Sequence, residues 1–131
     1  MTLPIAHWNL MLAWVWILLG FVSGFWLGTG FHKENWMGGY TSHPRRLYRL
    51  GHISFFGLAL MNLMFYWTVR GFDHVPRGGT WAGCGFIIGA LTMPICCVIM
   101  AHWPKWRALF AIPVGSLIAA AAITLWEVAT S

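Results

Sequence analysis

The chain has 131 residues, 59% of them hydrophobic, 17% aromatic and 8% charged, with a formal net charge of +5. A typical soluble domain is about 25% charged, so three acids (Glu34, Asp73 and Glu127) and eight Lys or Arg exclude a water-soluble globule of this size. The basic residues lie between apolar stretches, so the charge reads as membrane topology and contact with anionic lipid, with no nucleic-acid role.

Four apolar spans follow in chain order, at about 9–31, 50–69, 81–103 and 108–126. Each holds roughly 20 residues, enough to cross the hydrocarbon layer at about 1.5 Å per residue. None has Lys, Arg, Asp or Glu in its interior. The expected fold is all-α: a single integral-membrane bundle of four transmembrane helices. The first nine residues carry no Lys or Arg, so the first span reads as a membrane helix and not as a cleaved signal.

The connections carry the orientation. The first holds Lys33, Arg45, Arg46 and Arg49, the second Arg70 and Arg77, and the third Lys105 with Arg107. Connections one and three share a side, giving six basic residues against two. The positive-inside rule places those two in the cytoplasm and both termini on the outer, periplasmic side. This is the pattern of a bacterial inner-membrane protein. Ser42 with Pro44 predicts a helix start before the second span, which would carry the arginines through the headgroup layer. Lys33, Arg45, Arg46 and Arg49 are therefore expected as a lipid-headgroup anchor. Pro104, after His102-Trp103, predicts a tight turn, so that the last two helices form an antiparallel hairpin. Pro94 and Pro113 predict kinks in the third and fourth helices.

Tryptophans fall into two belts. Trp8, Trp67, Trp81 and Trp126 mark one interface, and Trp26, Trp36, Trp103 and Trp106 the other. Trp14 and Trp16 lie inside the first span and are expected to face lipid or another subunit. Gly20, Gly24 and Gly28 form a smooth stripe on the first helix, repeated by Gly85 and Gly89 on the third. Such stripes let another helix approach closely. Spacing alone leaves open whether that helix belongs to this chain or to another protein. Asn62, near the middle of the second span, needs a polar partner at that depth and is the expected interhelical hydrogen-bonding residue.

Candidate chemistry is sparse. His32, His52 and His102 come from three helices to the same face. His52 and His102 are the candidate axial ligands of a b-type haem, and three imidazoles could hold a metal ion. The bland alternative is that histidine, like tryptophan, suits a membrane interface. Met93 with Cys97, and Cys96 with Met100, are spaced for Cu(I) on a helix, although Met and Cys are equally ordinary apolar fillers. No embedded acid is available for ion coupling, and no catalytic carboxylate pair or nucleophile triad can be assembled. The expected function is thus a non-enzymatic accessory subunit of a larger membrane complex, such as an energy-converting or electron-transfer assembly. Its partners would be other membrane subunits and lipids. A small haem b electron carrier and a Cu(I)-handling protein stand as the alternatives.

Overall fold

Pro4 opens the first helix, where its missing N–H costs no hydrogen bond. This helix, α1, spans Pro4–Gly30 and begins a computed structural model that describes residues 3–131. A short 3₁₀ turn follows at Trp36–Gly38. There Met37, Gly38 and Gly39 take φ values of 54°, 83° and 93°. Two successive glycines supply that left-handed backbone without strain. α2 spans His43–Arg70, and its N-cap Ser42 accepts the Arg45 N–H. The helix thus starts where the Ser42–Pro44 signal predicts, about two turns before the apolar span. α3 spans Gly79–His102 and α4 spans Ala111–Thr130.

All four helices are long and apolar enough to cross a membrane, and no strand occurs among the described residues. They are compatible with an integral membrane protein. Large apolar side chains such as Phe25, Ile53, Trp81 and Leu125 are exposed on all four, as suits helices whose surroundings are lipid.

The tight turn expected after α3 is instead a 3₁₀ segment of seven residues, Pro104–Phe110. It delays α4 to Ala111 and so moves Pro113 into the first turn of that helix. The 3₁₀ segment runs directly into α4, since the Ala111 N–H bonds back to the Ala108 and Leu109 carbonyls.

α3 is central and touches all three other helices, whereas α4 rests almost wholly on α3. One buried cluster joins Leu3, just before α1, with Ala6 of α1, Phe65 and Val69 of α2, Ala82 and Phe86 of α3, and Ala120 of α4. A second joins Ala13 and Trp16, Leu58 and Ala59, and Ala90. Half of these residues are alanines, which let helices approach closely where packing rather than hydrophobicity holds them together in lipid.

Both glycine stripes are used within the chain. A Cβ on Gly20 would lie 2.7 Å from the Phe56 ring, and one on Gly24 would lie 2.8 Å from the His52 ring. A Cβ on Gly85 would meet Ala120 Cβ at 2.9 Å and the Ser116 carbonyl oxygen at 3.0 Å, and one on Gly89 would meet Leu117 at 2.5 Å. Gly28 differs, because nothing lies within 4 Å of that position.

Candidate functional site

Polar groups inside a membrane helix must find partners within the protein, and they do so here at two depths. The deeper set joins α1, α2 and α3. Asn9 Nδ2 donates to Asn62 Oδ1 at 2.8 Å and to the Gly83 carbonyl at 3.0 Å. Asn62 Nδ2 donates in turn to the Leu58 carbonyl at 2.8 Å and the Phe86 carbonyl at 3.4 Å. Both amides are wholly buried, and Asn9 Oδ1 has no donor. Gly83 permits the approach, since a Cβ there would lie 3.0 Å from Asn9 Oδ1. Asn62 thus bonds across to α1, and Asn9 is the partner that sequence reasoning missed. Hydropathy starts the span at Asn9, which makes it look like a boundary residue. The Pro4 helix-start signal, which places Asn9 inside α1, could have found it.

Trp16 belongs to the same layer. Its Nε1–H donates to the Ala90 carbonyl at 3.1 Å. Pro94 explains why that carbonyl is free, because a proline cannot donate back to the residue four before it. Trp16 is buried and faces neither lipid nor another subunit as expected, whereas Trp14 is exposed.

The second set lies at the end of the fold that carries residues 32–49, here termed the basic end. His52 Nδ1 lies 3.0 Å from Ser23 Oγ on α1, and its ring packs edge-on against Phe56 at 5.6 Å. It borders a cavity of about 170 Å³ lined also by Ser23, Trp26, Tyr48, Phe55 and Cys97. His102 takes a different neighbour: its Nε2 lies 2.9 Å from the Tyr48 hydroxyl. His102 does not line the cavity. Cofactor pockets run roughly 300–1,000 Å³, so this one is too small for a porphyrin, and the two rings do not face a common space. The pair His52–His102 does not fit a haem b site in this arrangement. His32 is exposed, and among the described residues no three His, Cys, Asp or Glu side chains form a group able to hold a metal. The sulfur pairs are likewise taken up in packing. Cys96 Sγ donates to the Leu109 carbonyl at 3.5 Å, Cys97 is wholly buried against Gly51, and Met93 packs on the second core cluster.

The four basic residues expected as one headgroup anchor divide sharply. Lys33 and Arg46 are exposed and Arg49 is half-buried. Arg45 is only 5% exposed. Its guanidinium carbon sits 5.2 Å from the Phe31 ring centroid, 5.8 Å from that of Trp36 and 5.2 Å from that of Tyr40. Arg49 stacks on the same Tyr40 ring at 4.7 Å. Charge counting treats these residues alike. The left-handed turn at Met37–Gly39, which folds the aromatic side chains of the loop over the start of α2, is what separates them.

At the opposite end, Glu127 of α4 accepts the Gly78 N–H at 2.7 Å. That places a carboxylate beside the N-terminus of α3, where the helix dipole favours it.

Fold and site together define a class, that of small all-helical chains with four membrane-length helices tied by buried amide and indole hydrogen bonds. No family model matches the chain, and no match was found among curated proteins or solved structures.

Proposed function

We propose that this chain is a non-catalytic subunit of a larger membrane assembly, built to pack against another membrane protein through the outward face of α4. In this reading the basic end lies in the cytoplasm, both termini lie on the periplasmic side of a bacterial inner membrane, and α3 and α4 form an antiparallel hairpin. The positive-inside count supports that orientation.

The observation that carries the reading is the state of α4. Only Pro113 and Ala120 of this helix are buried. Its opposite face presents Ala111, Gly115, Ala119 and Ala122, all exposed, and nothing lies within 4 Å of a Cβ placed on Gly115. Except at Gly28, the glycine stripes on α1 and α3 are already filled by this chain's own atoms. This small-residue face is not covered by the chain's own helices, and close helix contact in lipid uses such faces. In this reading the host belongs among energy-converting or electron-transfer assemblies.

The test is extraction from native membranes in mild detergent followed by native mass spectrometry. The expected result is a complex with defined partner subunits. Replacing Gly115 and Ala119 together by Leu should release the chain from that complex while its helical circular dichroism is unchanged. A chain that emerges alone or as a homo-oligomer overturns the proposal. So does a visible absorption band near about 400 nm that is lost in His52→Ala, since that is the signature of ligated haem.

A further inference from the structure

The cage around Arg45 is unusual in one respect, which is that nothing in it neutralises the charge. A buried guanidinium normally has an acidic partner and satisfied N–H groups. Arg45 Nε is buried with no hydrogen-bond acceptor. The chain has three acids. Glu127 and Asp73 belong to the opposite end, and Glu34 is exposed. Arg70 makes the comparison clear. It also stacks on two aromatic rings, Tyr66 and Trp67, but it is exposed and donates to the Tyr66 hydroxyl at 2.7 Å.

A second cation deepens the imbalance. Arg45 and Arg49 are one helical turn apart on α2 and stack on the same phenol ring. Like charges at that spacing repel. Two guanidinium groups thus share one phenol ring, one of them is buried, and neither has a carboxylate partner among the described residues, an arrangement that calls for an anion from outside the chain. Trp36 packs on Arg45, and Trp26, Trp103 and Trp106 belong to the same end of the fold, which marks this level as the membrane interface, where the abundant anion is a lipid phosphate. Arginine's planar fork suits a phosphate oxygen pair better than lysine's point charge does.

We propose that Arg45 and Arg49 bind the phosphodiester headgroup of a single anionic phospholipid, with Tyr40 stacked against both guanidinium groups. The site requires only that this end lies at the headgroup layer. It does not depend on any protein partner, so it stands or falls separately from the subunit reading. Arg46 and Lys33 contribute a diffuse attraction and no specific contact.

The experiment is native mass spectrometry of the full purified chain, stripped of lipid and titrated with phosphatidylglycerol, phosphatidylcholine or inorganic phosphate. Phosphatidylglycerol should bind at one site about tenfold more tightly than phosphatidylcholine, and inorganic phosphate should neither bind nor compete. Arg49→Gln and Arg45→Lys should each lower phosphatidylglycerol affinity about tenfold or more, and Arg46→Gln should leave it within about twofold. Arg49 lies outside the cage interior, so Arg49→Gln decides the matter even if Arg45→Lys fails to fold. Equal affinity for the two lipids, equal effects of Arg46→Gln and Arg49→Gln, or competition by inorganic phosphate overturns the proposal.

Discussion

Asn9 and Asn62 are worth more together than apart. Removing one leaves the other's polar atoms in a membrane interior with fewer partners, whereas removing both removes the need. Interhelical hydrogen bonds in membranes average about 0.6 kcal/mol and reach about 1.7 kcal/mol in double-mutant cycles. A cycle of Asn9→Ala and Asn62→Ala, read by reversible unfolding in mixed micelles, should give a coupling energy in that range. Strict additivity would show that the two amides do not act as a pair. The indole of Trp16 permits a sharper experiment. Trp16→Phe strands the Ala90 carbonyl and should cost about 1–3 kcal/mol. Adding Pro94→Ala restores a backbone N–H to that carbonyl within α3, so the double variant should recover part of the loss. If Pro94→Ala gives no relief, the carbonyl is not what Trp16 serves.

At the scale of the helix, the glycines separate contact from spacing. Gly85→Ala places a methyl group 2.9 Å from Ala120 Cβ and 3.0 Å from a backbone oxygen. Neither neighbour can swing aside, and the α3–α4 contact should weaken by about 1–3 kcal/mol. Gly28→Ala meets open space and should stay within about 0.5 kcal/mol of the parent. Thermal unfolding of the two variants side by side checks this, and equal effects would mean that the stripe does not pack as described. The sequence shows both glycines as one kind of residue, because regular spacing records only that a face is smooth. Which helix covers that face depends on the packing of all four. Helix existence, by contrast, is legible from the sequence, since lipid leaves a long apolar run no alternative to the helix. The start of α2 is legible for the same local reason, through Ser42 and Pro44. The 3₁₀ segment after α3 is not, because Pro104 signals a stop without saying how many residues pass before the next helix settles.

For the molecule as a whole, orientation is the property that the distribution of Lys and Arg addresses. With the native cysteines replaced by serine, a Cys at Ser131 should react with a membrane-impermeant maleimide in intact cells, and one at Thr41 should react only after lysis. The reverse pattern would place the basic end outside and withdraw the cytoplasmic assignment. The candidate site was less legible than the topology. Counting charges finds the arginine group but cannot see that Met37–Gly39 turns left-handed and closes aromatic rings over Arg45. Counting histidines brings His52 and His102 to one end, yet Ser23 and Tyr48 give each ring its own neighbour.

The bond from Trp16 to the Ala90 carbonyl also sets an order of events. α1 leaves the ribosome first and must wait in the bilayer with an indole N–H that its own helix cannot satisfy. α3 arrives later with a carbonyl that Pro94 has left open. Each helix carries half of a bond that closes only when both have been inserted, so biogenesis has a checkpoint written into two residues 74 positions apart in the chain. An arrest series that halts synthesis before α3 is complete should leave Trp16 open to quenching by lipid-borne bromine, and release of the finished chain should protect it.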